Sequence, residues 1–140
     1  MKLIHILLVE DNEGDILLTT EALEESGIIS KVTVIRNGKS AIDFFEVLSD
    51  TEARPDLVLL DINLPKKSGH EVLQYIKKSE QYNQVPVIML TTSSSERDIL
   101  SAYKHHANCY ITKPIEVSEF MLAIAKIQDF WINIVSIPAN

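Results

Sequence analysis

A second cysteine is missing from this 140-residue sequence: Cys109 stands alone, so no intramolecular disulfide can form, and the chain suits a reducing compartment. Runs of basic residues are missing too. The formal net charge is −7, which argues against a nucleic-acid-binding face. No apolar run approaches membrane-spanning length, and no long apolar h-region follows a basic head at the N-terminus as in a secretory signal. Internal repeats, low-complexity tracts and interdomain linkers are also lacking. Together these absences predict a cytoplasmic protein. The composition that remains is 46% hydrophobic and 24% charged, as in a soluble globular protein, and the length suits one domain with a full core.

The most informative stretch is Leu57-Val58-Leu59-Leu60-Asp61-Ile62-Asn63-Leu64-Pro65. A short apolar run bounded by turn signals reads as a strand buried on both faces. Asp61 then falls at the carboxyl end of a central strand, the edge where open α/β sheets bind ligands. Taken alone, an acid there also reads as an ordinary turn cap.

Other segments repeat the pattern. Leu3 to Val9 is apolar except for His5 and ends in Glu10-Asp11-Asn12. A helix follows over roughly 13–26, with Asn12 as N-cap, Ile16, Leu18, Ala22 and Leu23 inward, and Gly27 at its end. Lys31 to Arg36 alternates polar and apolar residues, which places this strand nearer a sheet edge. Asn37-Gly38 opens a helix carrying Ala41, Ile42, Phe44, Phe45 and Leu48, and residues 49–55 read as a loop. Beyond Gly69 a helix buries Val72, Leu73 and Ile76. Val85 to Leu90 is a fourth strand, with Pro86 at its start and Thr91 at its end. Thr92 to Ser95 suits a helix cap better than a phosphate loop. The next helix carries Ile99, Leu100, Ala102 and Tyr103. Cys109 to Thr112 is a fifth strand before Lys113-Pro114, and a last helix starts near Val117 and runs to Trp131 or beyond. Five strands alternating with five helices predict an α/β fold: a doubly wound parallel sheet with right-handed crossovers and helices on both faces.

Parallel strands bring their carboxyl ends to one edge. Glu10, Asp11, Asp61, Thr91 and Lys113 therefore gather there. Three carboxylates repel one another unless a cation joins them, and hard oxygen ligands suit Mg²⁺. Glu10-Asp11 alone reads equally well as a solvated turn; Asp61 and Lys113 favour the metal site. A carboxylate can attack phosphorus, and Mg²⁺, Lys113 and Thr91 can neutralise the transferring phosphoryl group.

With these residues in place, the sequence resembles the receiver domain of bacterial two-component response regulators. The matching motifs are Val9-Glu10-Asp11-Asn12, Leu60-Asp61-Ile62-Asn63-Leu64-Pro65, Gly69, Thr91 and Lys113-Pro114, in the family's order and over roughly residues 3 to 127. The resemblance implies a flavodoxin-like (βα)5 sheet with strand order 2-1-3-4-5. It implies that Asp61 accepts a phosphoryl group from a sensor histidine kinase. Glu10 and Asp11 become the acidic pair at Mg²⁺, Asp11 directly and Glu10 through water, and the backbone carbonyl of Asn63 completes the shell. Thr91 becomes the hydroxyl that moves toward the phosphoryl group, Lys113 its charge partner, and Tyr110 the aromatic switch that turns inward with it. The Lys113-Pro114 bond is often cis in such proteins. Two positions depart from the family pattern: Glu10 stands where Asp is common, and His106 where Gly is usual, a strained choice if φ is positive.

Several tempting features have plainer readings. His105, His106 and Cys109 fit no standard metal spacing, and Cys109 reads as a buried strand residue. His5 and His70 read as structural or surface residues, and Tyr110 as packing is an open alternative. The C-terminal stretch Phe130 to Pro138 is more apolar than a free tail. Residues 1–129 therefore read as the receiver domain and 130–140 as an apolar extension, which either folds back or forms a homodimer surface. A Phe-Trp segment of this kind is similar to the end of single-domain regulators paired with phytochrome kinases, which suggests a phytochrome-type or related sensor kinase as donor. With 26 residues after Pro114, a DNA-binding output domain does not fit, so a stand-alone regulator is expected. It would transfer phosphate only to itself and release it again, without being a metabolic enzyme. Three rivals stand beside this reading. A phosphorylation-independent interaction module should have lost part of the acidic pair, the acceptor or the lysine. An aspartyl-phosphate phosphatase of the haloacid dehalogenase type needs Asp where Asn63 stands. A flavin protein needs a Ser/Thr/Gly-rich loop after the first strand.

Overall fold

The computed structural model describes residues 3–25, 30–48 and 53–134. Five strands alternate with five helices: β1 (Ile4–Val9), α1 (Glu13–Glu25), β2 (Ser30–Ile35), α2 (Gly38–Val47), β3 (Leu57–Leu60), α3 (Gly69–Lys78), β4 (Val87–Thr91), α4 (Glu96–Lys104), β5 (Cys109–Thr112) and α5 (Val117–Gln128). All pairs are parallel, in the order β2-β1-β3-β4-β5. This is the flavodoxin-like arrangement that the resemblance implied. The expected helix end at Gly27, part of the 49–55 loop and residues 135–140 of the extension lie outside the described residues. Among the described residues, no helix is long and apolar enough to cross a membrane.

Alternation along the strands divides the core in two. Leu7, Val9, Val58, Leu60, Val87 and Met89 face α2, α3 and α4. Ile6, Leu8, Leu57, Leu59, Ile88 and Leu90 face α1 and α5. Every residue of β3 is buried, as a central strand covered on both faces requires. Polar alternation correctly marks β2 as an edge strand. β5 closes the opposite edge, so Cys109 is half-buried rather than buried as expected. On α4 only Ala102 is fully buried, while Leu100 and Tyr103 are exposed.

Caps fall on the side chains built for them. Asn12 Oδ1 accepts from Asp15 N (2.9 Å), and Asn37 Oδ1 from Ser40 N (2.8 Å). Ser68 and Glu71 form a reciprocal capping box on α3, and Ser95 caps α4. His106 has φ 71°, the left-handed conformation expected where the family favours glycine, and Lys66 shares it unannounced. The Lys113–Pro114 bond departs from expectation: no cis peptide occurs among the described residues. The last helix is α-helical to Gln128 and continues as a π-helical segment over Asp129–Ile134. Trp131 packs against the α1–α5 side of the core, whereas Phe130 is half exposed.

Gly69 holds the loop after β3 close to the sheet edge. Its amide donates to Ile62 O (2.8 Å), and any Cβ there would collide with the Asp61 carbonyl oxygen. That atom is backbone and cannot rotate away. Gly69→Ala is expected to destabilise the chain by about 2 kcal/mol, the usual cost of overpacking. Urea unfolding checks it; an unchanged midpoint would show that the loop yields freely.

Candidate functional site

The carboxyl ends of β1, β3, β4 and β5 carry the site. Asp61 follows β3 directly, and its amide donates to Val9 O (3.1 Å), which ties it to the neighbouring strand. Its Oδ1 accepts from the amides of Ile62 (2.7 Å) and, more weakly, Asn63 (3.4 Å). These bonds orient the carboxylate and leave Oδ2 pointing to Lys113 Nζ at 3.1 Å. Glu10 is arranged likewise. Its Oε2 accepts from the amides of Asp11 (3.1 Å) and Asn12 (3.2 Å), and its Oε1 from Lys113. Asp11 is exposed. Carboxylate oxygens of Glu10, Asp11 and Asp61 lie within 4.8 Å of one another, the acidic cluster that strand-end reasoning assembled.

Lys113 is 7% exposed and bonds three carboxylates: Glu10, Asp61 and Asp15, the last at 2.8 Å. Burial works against its charge, but the bonds to Asp15 and Glu10 and the field of Asp61 outweigh it, so the ammonium is held above the usual lysine range. Burial pushes the Glu10 carboxyl up to about 7; Lys113 pulls the other way, and Asp61 adds to the rise. Acid outnumbers base in this pocket. A divalent cation suits that imbalance, since the donors are hard oxygens and Asp11 opens to solvent.

Asp15 was not anticipated from the sequence. Its only signal is an acid one helical turn after Asp11, which α1 aims at the same edge.

Thr91 ends β4 and is fully buried, and Tyr110 is the second residue of β5. The two switch candidates meet on one residue. The amide of Ser93 approaches Thr91 Oγ1 (3.4 Å), and its carbonyl accepts from the Tyr110 hydroxyl (2.7 Å). Ser93 Oγ donates to Asp98 Oδ2 (2.6 Å), and His70 Nε2 stands 3.0 Å from Asp98 Oδ1. The Ser93 hydroxyl, then the His70 ring, hold the Asp98 carboxyl below the usual carboxylate range. Thus His70, read from sequence as structural or surface, bridges α3 to α4. His5 is structural, its Nε2 2.8 Å from Thr33 Oγ1. Asn63 lies exposed in the β3–α3 loop. His105, His106 and Cys109 form no metal-binding group among the described residues.

A doubly wound sheet with an acidic cluster, a hydroxyl and a lysine along its carboxyl edge is the plan of a signalling receiver. The model of the response regulator receiver domain matches residues 6–125, and the chain belongs to that family. It is 40% identical over 136 residues to the response regulator Rcp1 of Synechocystis sp., covering 96% of this chain and 92% of that one. The crystal structure of the phosphorylated cyanobacterial phytochrome response regulator RcpA matches with a TM-score of 0.94 and 40% identity, over 99% of this chain and 100% of that one. The Mn²⁺-bound form of Rcp1 matches with a TM-score of 0.91 and 40% identity, over 97% and 99%. The chain is therefore a receiver-domain response regulator homologous to phytochrome response regulators.

Proposed function

We propose that Asp61 accepts a phosphoryl group from the phosphohistidine of a sensor histidine kinase, and that this switches a partner-binding surface. The observation that carries the reading is the state of the Asp61 carboxylate. Its Oδ1 is anchored by the Ile62 amide, while Oδ2 faces the buried Lys113 ammonium. Oδ2 is the nucleophile: it forms the new bond to phosphorus as the phosphorus–nitrogen bond of the donor breaks. Lys113 stays charged and pairs with the phosphoryl oxygens. Glu10, Asp11, Asp61 and the backbone carbonyl of Asn63 would hold Mg²⁺, which when bound supplies further positive charge to the phosphoryl group. Water then releases the phosphate, so the chain acts on itself and on no independent metabolite.

Thr91 and Tyr110 transmit the change. Both hang on Ser93, so a shift of the Thr91 hydroxyl is passed to the aromatic ring on β5. Leu100 and Tyr103 on α4, Leu122 on α5 and Phe130 just after it are exposed apolar residues. A hollow of about 260 Å³ is lined by Phe130 with Cys109, Ile111, Lys126, Ile127 and Trp131. This face is the homodimer contact, with residues 1–129 as the receiver unit and 130–140 as the dimerisation segment. The likeness to Rcp1 and RcpA supports a phytochrome-type kinase as donor.

The test is intact-protein mass spectrometry after incubation with acetyl phosphate, with Mg²⁺ or with EDTA, followed by size exclusion of the same samples. The expected result is one phosphoryl adduct on wild type with Mg²⁺, none in EDTA and none on Asp61→Asn. An adduct on the variant would move the acceptor elsewhere. Elution of wild type at the monomer mass, with and without phosphate, would remove the dimer.

A further inference from the structure

We propose that Asp15 is a positioning residue for Lys113: it draws the ammonium to one side and so leaves Glu10 and Asp61 free to join Asp11 on a divalent cation. This rests on the reading of that cluster as a metal centre.

The argument is one of oxygen supply. Glu10 has one carboxylate oxygen tied to the amides of Asp11 and Asn12, and Asp61 has one tied to the amide of Ile62. The oxygen of each acid that no amide holds is bonded to Lys113. A cation entering the cluster competes with Lys113 for these two carboxylates. Lys113 must then give them up, yet a buried ammonium without a partner is costly. Asp15 resolves the conflict. Its Oδ2 already holds Nζ at 2.8 Å, and it stands outside the trio of acids within mutual reach of one ion. The Asp15 amide, bonded to Asn12 Oδ1, fixes the first turn of α1. With Asp15 present, Lys113 can keep a counter-charge while the cation takes the cluster. Without it, the acids left to Lys113 among the described residues are those that the cation needs.

The experiment titrates Mn²⁺ into the metal-free full chain and reads the free ion by electron paramagnetic resonance. The proteins are wild type, Asp15→Ala, Asp15→Glu, Lys113→Met and the Asp15→Ala/Lys113→Met double variant. Asp15→Ala is expected to weaken Mn²⁺ binding about ten-fold when Lys113 is present and no more than about two-fold when it is absent, a coupling of the size that contacting charged residues show. Asp15→Glu, which keeps a carboxylate within reach, stays within about two-fold of wild type by the same reasoning. An equal loss in both backgrounds would mean that Asp15 acts only through space on the ion, and no loss would mean that Lys113 needs no holder; either overturns the proposal. If wild type takes up no Mn²⁺, the metal-centre reading fails first, and the inference falls with it. Circular dichroism confirms folding, and Lys113→Gln closes the same cycle if the methionine variant does not fold.

Discussion

Lys113→Met lowers the rate at which acetyl phosphate labels Asp61 by about 100-fold, the cost of removing one preorganised charge from a transition state. The same substitution is expected to tighten divalent-cation binding, and the opposite signs make the prediction sharp. Lys113 is the buried cation bonded to Glu10 and Asp61. In the proposed reaction it meets negative charge building on the phosphoryl oxygens, which no methionine can do. At rest it competes for the carboxylates that a metal would join, so its removal favours the ion. Stability supplies a third readout. Metal-free, the variant leaves Glu10 and Asp61 facing each other without a counter-charge, and a loss of about 3 kcal/mol is expected. Added Mg²⁺ restores it in proportion to its binding. Timed intact-mass labelling and urea unfolding with and without Mg²⁺ measure all three. An unchanged labelling rate would remove Lys113 from the chemistry.

A second large effect belongs to Glu10, whose carboxyl sits near 7 when folded against an ordinary value of 4.5. Between those two values the folded state keeps a proton that the unfolded chain has released. Folding takes up that proton, so raising the pH weakens the fold. The contribution is full below the unfolded value of 4.5 and is lost as pH rises through about 7. At about 1.4 kcal/mol per unit of displacement, wild type loses about 3 kcal/mol across this window. Lys113, held above the lysine range, does not titrate there. His5 does, with the opposite slope, because burial lowers its pKa and its contribution is lost on acidification. The difference between wild type and Glu10→Gln isolates Glu10. Urea midpoints of both, in divalent-free buffer at several pH values, are expected to diverge as pH rises. Parallel curves would show that Glu10 carries no such shift.

Much of this architecture was legible because it is written in strand ends. Leu57 to Leu60 is apolar throughout, so a central strand and the place of Asp61 followed directly. Glu10, Asp11, Thr91 and Lys113 follow or end strands in the same way, and parallel pairing brings them to one edge. Interactions between helices were less visible. Asp15 is an ordinary acid in a helix's first turn until β5 sets Lys113 opposite it. The His70–Asp98 bridge depends on how α3 lies against α4, which no local pattern in either helix encodes. On α4, four apolar residues in five positions span too wide an arc to face one core, and the structure buries only Ala102 fully.

Ser93 offers a lesson about tolerance to change. Its ties to Thr91 and Tyr110 run through main-chain atoms, an amide on one side and a carbonyl on the other. Its hydroxyl serves the separate bond to Asp98. Substitution there can retune how the loop leans on α4 while the line between Thr91 and Tyr110 stays whole. Proline alone, lacking the amide hydrogen, cuts that line. The proposed relay would thus be insulated from drift at the residue that carries it.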